Sequence, residues 1–391
     1  MEPTRTAIGT WSGGRFMHFG EPLSDERLLA LLRPGEGIDT VMSADAYGAG
    51  EADRMLGQAI EGVDRDSFCL IGAIGHDFYE GEREGAKGFP RFTDPRLRAR
   101  ESYGAYIRMA AEKSLARLGA ERFDLLMLHN PDRTGYTSEA VWEGMRALRE
   151  AGLTSQLGVA PGPANGFTLD LIDCFERFGE LIDWAMIILS PMEPWPGELV
   201  LEAAATHDVK LITRVVDYGG LFHDDVRAGH RFAEYDHRKF RPAGWVEAGV
   251  DKLERMRPYA ERHDLTMLQL ACQWNLAHPT VRCVAPTLIQ ESDTAEAGLT
   301  EQAPSLEHGA ARSIEDKRAE LATLPTKQLL SDAEVDELRA IGDNSGSMLL
   351  KGASVEHDGE PLADRWALDE ELASVAERWQ IAPQRDLVKT G

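Results

Sequence analysis

A (β/α)8 barrel is the fold this sequence predicts, on three observations. Eight short β-branched or apolar runs recur along the chain, and segments with helical spacing stand between them. Several of the runs are apolar throughout, as expected of parallel strands covered on both faces. The alternation spans nearly three hundred residues without a linker or internal repeat, which suits a single barrel.

Strands are expected at Thr6–Thr10, Ile38–Ser43, Phe68–Ile74, Phe123–His129, Gln156–Ala160, Trp184–Leu189, Lys210–Val216 and Val281–Ala285. The first helix, Ser24–Leu32, opens on Ser-Asp-Glu, a capping sequence. Glu51–Ile60 places Met55, Leu56 and Ile60 on one stripe, and Glu101–Leu118 does so with Ile107, Ala111, Leu115 and Leu118. Ser138–Ala151 runs into Gly152, a C-cap signal. Leu169–Phe178, Gly197–Thr206, Val246–Arg262 and Leu265–Leu276 complete the set. The barrel is therefore expected over residues 1–290. Residues 291–330 are polar and read as a solvated insertion or surface helix. Residues 331–391 read as C-terminal helices and tail, started by Ser331 with Glu334 and anchored by Trp366, Leu372 and Val375.

Charge narrows the function. The 391 residues carry 42 basic and 66 acidic side chains, and 42 − 66 = −24. Such a surface repels phosphate backbones and anionic lipid, which argues against nucleic-acid and membrane partners. No run approaches the ~18 apolar residues of a membrane span. The four cysteines, Cys69, Cys174, Cys272 and Cys283, form no CxxC pair and read as reduced thiols of a cytoplasmic protein. The first residues carry no signal-peptide pattern. A small-molecule substrate is the expected partner, and the sequence is silent on oligomeric state.

Barrel enzymes work at the C-terminal ends of their strands. At the end of the second strand Asp39-Thr40 and then Tyr47-Gly48 are expected, and after the third come His76-Asp77. The fourth ends His129-Asn130-Pro131-Asp132, the sixth leads to Glu193 and Trp195, and the seventh to Arg214, Asp217 and Tyr218. A phenol that donates a proton to a carbonyl oxygen, beside an imidazole that orients it, is acid–base machinery. No ligand spacing compels a metal site among His76, Asp77, His129 and Glu193.

These motifs resemble the aldo-keto reductases. The resemblance rests on Asp39-Thr40 with Tyr47-Gly48 and the Gly50-Glu51 to Leu56-Gly57 helix, and on Ser114–Leu118 followed by Phe123–Asp132. Lys210–Leu221 and Leu330–Glu334 extend it, so that it covers most of residues 5–345. It implies a barrel that binds NADP(H) and a tetrad of Asp, Tyr, Lys and His, of which Asp39, Tyr47 and His129 match three. Ala73 stands where the Lys is expected, and His76 is the candidate to replace it as cation or acid. The cofactor side departs further. Ala160-Pro161 replaces the Ser-Asn pair implied for the carboxamide, the sixth strand lacks the implied Gln, and the segment after strand eight has acids in place of 2′-phosphate-binding bases. Arg214 is the remaining cofactor-binding candidate, and Trp195, Tyr218, Glu193 and Asp217 are the substrate-binding ones. The expectation is therefore a non-redox enzyme (lyase, dehydratase or isomerase) acting on a sugar-like or aromatic carbonyl compound, with no cofactor. The alternatives are an NAD(P)H-dependent reductase with a remodelled cofactor site, and a noncatalytic binding subunit like the potassium-channel beta subunits built on such a barrel.

Overall fold

The computed structural model describes residues 1–84, 88–162, 167–241, 243–292, 312–343 and 370–382. The eight strands are β1 (Ile8–Gly9), β2 (Thr40–Ala44), β3 (Cys69–Ile74), β4 (Phe123–His129), β5 (Thr154–Ala160), β6 (Trp184–Ile188), β7 (Lys210–Arg214) and β8 (Val281–Ala285). All pair parallel in sequence order. A parallel bridge between Thr6 and Val284 brings the last strand back to the first. The (β/α)8 expectation is thus met.

The helices are α1 (Asp25–Leu32), α2 (Glu51–Ile60), α3 (Tyr103–Leu118), α4 (Arg133–Thr137), α5 (Glu139–Glu150), α6 (Thr168–Phe178), α7 (Leu201–Thr206), α8 (Trp245–Arg262), α9 (Met267–Leu276), α10 (Ile314–Ala322), α11 (Asp332–Gly342) and α12 (Glu370–Arg378). Local chemistry explains their starts. Ser24 Oγ caps α1 by accepting from Arg27 N, and Thr266/Gln269 and Ser331/Glu334 form capping boxes on α9 and α11. The segment expected as one helix over Gly197–Thr206 divides into a 3-10 turn, Gly197–Val200, and α7. A side chain at Gly197 would lie 2.2 Å from Ile188 O, so the turn packs its backbone directly on the end of β6.

Strand alternation sorts the core into two parts. Inward residues Ala7, Met42, Ala44, Ile71, Ala73, Leu125, Met127, Trp184, Met186, Ile212 and Cys283 fill the barrel. Outward residues meet the helix layer. At the N-terminal mouth, Trp184 Nε1 donates to Gln156 Oε1 at 2.6 Å and Lys210 lies over the Trp184 ring. All four cysteines are buried and unpaired. Part of the polar stretch after β8 forms α10, which buries Ile314 and Leu321 and rests against α1 and α9. Leu372 and Val375 pack α12 onto the barrel beside α6, whereas Trp366 and residues 293–311 lie outside the described residues. No described helix is long and apolar enough to cross a membrane.

Candidate active site at the C-terminal barrel mouth

Alternation also decides which side chains face the C-terminal mouth. Two positions beyond Met127 on β4 comes His129, and two beyond Ile212 on β7 comes Arg214, so both point inward. Ala44, Ala73, Ala160 and Ala285 close β2, β3, β5 and β8 at that level. Tyr47 enters from the turn after β2, half-buried against the barrel core.

That turn is built to present Tyr47. Gly48, Ala49 and Gly50 all have positive φ, +59°, +50° and +92°. Ala49 is the costly member, since only glycine takes this conformation freely. Asp53 holds the turn from behind. It is fully buried and accepts from Ser43 Oγ (2.7 Å), Ser114 Oγ (2.8 Å) and Arg117 Nη2 (2.8 Å), which ties β2, α2 and α3 together. Asp45 points outward into the same layer, fully buried, and burial pushes its carboxyl well above the usual range.

The Tyr47 and His129 rings meet edge to face with centroids 5.6 Å apart. Burial drives His129 well below the ordinary imidazole range, and His76, Arg91 and Arg214 add to the effect. It is therefore neutral at pH 7, and its buried Nδ1 has no hydrogen-bond partner. Burial pushes the Tyr47 phenol up, while the Arg214 guanidinium pulls it down.

His76 lies 5.1 Å from His129, centroid to centroid. Both its nitrogens are engaged: Nδ1 is 3.0 Å from Phe89 O and from Arg91 Nη1, and Nε2 is 3.0 Å from Asn130 Nδ2. Burial and Arg91 hold it down to about 4. His76 is thus neutral at pH 7 and cannot be the cation expected to replace the missing Lys. A base whose pKa falls on folding stabilises the fold only while it is unprotonated in both states. Its contribution is complete above about 6.5 and is lost as pH falls from about 6.5 toward about 4. Urea unfolding of His76→Gln and wild type across that window should show a shallower acid loss in the variant; equal losses would remove His76 from this account.

The other expected site residues are placed as follows. Asp39 precedes β2 and so lies at the N-terminal mouth, where its carbonyl accepts from Cys69 N. It is separated from Tyr47 by the whole strand, and the inward β2 residues between them are Met42 and Ala44. Sequence proximity suggested one site, but the strand begins rather than ends at Asp39. Asp217 is buried and ties loops, accepting from Thr287 N (2.7 Å) and Gly220 N (3.0 Å). Tyr218 is 2% exposed and packed near Trp245, so neither of its faces is open to a substrate. Glu193 is buried in a tight turn with Ser190, and Trp195 is half-buried nearby. Trp11 was not anticipated. It is part-exposed against the barrel core, and its ring lies over Gly9, where a Cβ would meet it at 2.1 Å.

A small cleft opens at the C-terminal ends of β5, β6 and β7, against α6, with Arg214 at its edge. Pro161, Gly162 and Arg214 form its polar edge, and Phe167, Met186 and Ile188 an apolar wall. Arg214 Nη2 donates to Pro161 O (3.1 Å) and Gly162 O (2.5 Å). Pro161 and the sixth-strand residues, whose sequence departs from the implied nicotinamide site, line this cleft.

Farther out, the segment after β8 is surrounded by bases from elsewhere in the chain, each already paired. Arg238 binds Asp236 and Glu291, Lys317 binds Asp225 and Ile289 O, Arg312 binds Glu320 and His223 O, and Arg27 binds Glu315 and Gln290. None of these was visible in the sequence next to Glu291.

Comparison with known proteins agrees with this geometry. The aldo/keto reductase family model matches residues 7–297. An aldo-keto reductase of Bacillus subtilis is 26% identical over 291 residues, covering 71% of this chain and 79% of that one. A D-threo-aldose 1-dehydrogenase of a Pseudomonas species is 24% identical over 278 residues, covering 67% and 79%. The glycerol dehydrogenase of Gluconobacter oxydans superposes with a TM-score of 0.63 at 21% identity, covering 86% of this chain and 90% of that one. A family of reductases, with a reductase and a dehydrogenase among its relatives, overturns the expectation of cofactor-free lyase, dehydratase or isomerase chemistry. The loss of the implied hydrogen-bonding residues had been read as loss of redox function, and the relatives instead favour the alternative, a reductase. The chain belongs to the aldo/keto reductase family.

Proposed function

We propose that the protein is a nicotinamide-dinucleotide-dependent reductase of small carbonyl compounds, with polyhydroxy aldehydes or ketones as the substrate class. The observation that carries this is the pairing of Tyr47 with a neutral His129 at the C-terminal barrel mouth, with Arg214 at the inward end of β7. When bound at this mouth, a dihydronicotinamide would supply the hydride for the carbonyl carbon. The chain's own residues handle the oxygen. The His129 imidazole, neutral at pH 7, donates a hydrogen bond that orients it, and the Tyr47 hydroxyl delivers the proton. The part-exposed Trp11 offers a ring face over which a sugar can lie. The aldose and glycerol dehydrogenases among the relatives favour hydroxylated substrates.

The paired bases around Glu291 set the cofactor preference. The family resemblance places the 2′-phosphate of NADPH after strand eight, where Arg238, Lys317, Arg312 and Arg27 already hold carboxylates. Among the described residues a phosphate there meets Glu291 and bases that are already paired, and one missing charged hydrogen bond amounts to about 1.5–3 kcal/mol. NADH is therefore expected to exceed NADPH in kcat/KM by about ten- to a hundredfold. Initial rates with both dinucleotides on a panel of aldoses, hydroxyketones and aromatic aldehydes test both statements. No oxidation of either cofactor across the panel would sink the reductase reading, and an NADPH preference would sink the second.

A further inference from the structure

Proton transfer by Tyr47 leaves a phenolate in a half-buried site, and that charge needs a counterpart. The neighbouring strand offers none. Ala73 occupies the inward end of β3, and Met42 and Ala44 the inward positions of β2. His76 is held neutral by burial and Arg91, and His129 is neutral as well. Asp45, two residues before Tyr47, points away toward Asp53 and Arg117. Across the mouth, β7 ends in Arg214, the one cation among the inward residues at the C-terminal ends of the described strands.

We propose that Arg214 is the cation that serves Tyr47, a positioning residue that takes over from β7 the task a third-strand ammonium would otherwise perform. Its anchoring supports this. Two bonds to Pro161 O and Gly162 O fix the guanidinium at the cleft edge, and both of these acceptors are neutral; the carboxylate that acts on it is Glu193, which with the Tyr136 phenol helps to keep the buried guanidinium charged. The electrostatic coupling runs both ways: Arg214 favours the Tyr47 phenolate, and the phenolate favours the charged guanidinium. In the step itself the Tyr47 O–H bond breaks and a new O–H bond forms on the substrate oxygen. The carbon takes its electron pair as hydride from the dihydronicotinamide. The negative charge rests on Tyr47, opposite Arg214, until water returns a proton.

This inference rests on the reductase reading, and its test separates the two. Arg214→Met removes the charge at similar length, and Arg214→Lys keeps a charge without the planar fork. The Tyr47 titration is followed in the cofactor-free protein by NMR of isotope-labelled tyrosine, with Tyr47→Phe assigning the signal. Arg214→Met should move that titration upward, and Arg214→Lys should return it most of the way. With cofactor and an accepted carbonyl substrate, Arg214→Met should lower kcat by roughly 10²-fold and shift the basic limb of its pH profile in the same direction. A Tyr47 titration unmoved in Arg214→Met overturns the inference, whatever the activity. So does a drop in kcat that Arg214→Lys fails to relieve while the titration stays put, since that marks Arg214 as a brace for Pro161 and Gly162 only. If no cofactor is turned over but the titration moves as stated, the coupling stands and the reductase reading falls.

Discussion

Tyr47→Phe is expected to reduce kcat for carbonyl reduction by about 10²–10⁴, the usual contribution of a positioned proton donor. The substitution deletes one hydroxyl and keeps the ring that packs against His129 and the barrel core. Fold stability should therefore change by about 1 kcal/mol or less. KM for the dinucleotide should hardly move, because the cleft of Pro161, Met186 and Ile188 is built from other strands. His129→Gln should lose a similar order in kcat. The double variant should lose less than the product of the two, because residues that act on one oxygen are not additive. Steady-state kinetics of the four proteins on one substrate decide the matter. A Tyr47→Phe enzyme within about threefold of wild type would mean that another group delivers the proton.

The strands were legible because their signal is local. Runs such as Phe123–His129 and Cys69–Ile74 are buried over their whole length, so hydrophobicity alone marks them. Tyr47 and His129 were legible for the same reason, each standing just beyond or at the end of such a run. Asp39 was misplaced because spacing along the chain does not say which barrel mouth a strand end faces; the strand starts at Thr40. His76 was correctly placed at the rim, yet its charge state depends on Arg91, Phe89 and Asn130, which lie 13 to 54 positions away. The bases around Glu291 were invisible for a like reason. Arg238 comes from the β7–α8 connection and Lys317 from α10, and only the closed barrel brings them to the segment after β8. A search for bases limited to residues 286–293 therefore found acids alone. Asp217 and Tyr218 read as rim groups by position, but their loop folds inward and buries both.

Arg238→Met should be the most destabilising single change at the C-terminal mouth. Arg238 is fully buried and bridges two carboxylates, at 2.6 and 2.9 Å to Glu291 and 2.7 Å to Asp236. It also donates to Gly219 O and lies over the Phe232 ring. Asp236 in turn accepts from Gly20 N at 2.8 Å, so the cluster joins the loops after β1, β7 and β8. Methionine fills much of the space but leaves Glu291 and Asp236 buried without their cation, a loss of about 3–5 kcal/mol. The pH dependence identifies the cause. The Arg238 guanidinium holds the Glu291 carboxyl well below the usual range, against the upward push of burial. A depressed carboxylate contributes stability above its unfolded pKa of about 4.3 and loses it as pH falls through the folded value. In Arg238→Met most of that depression is gone, only His230 remaining beside Glu291, and the Glu291 carboxyl gains by protonation. The deficit relative to wild type should therefore be largest near neutrality and shrink toward pH 4. Adding Asp236→Asn and Glu291→Gln removes the orphaned charges and should recover part of the loss, since neutral replacements of a buried ionic cluster are often tolerated. Urea unfolding of the three proteins at several pH values gives the answer: a deficit equal at pH 4 and pH 7, with no recovery in the triple variant, would show that Arg238 acts through its packing and not its charge.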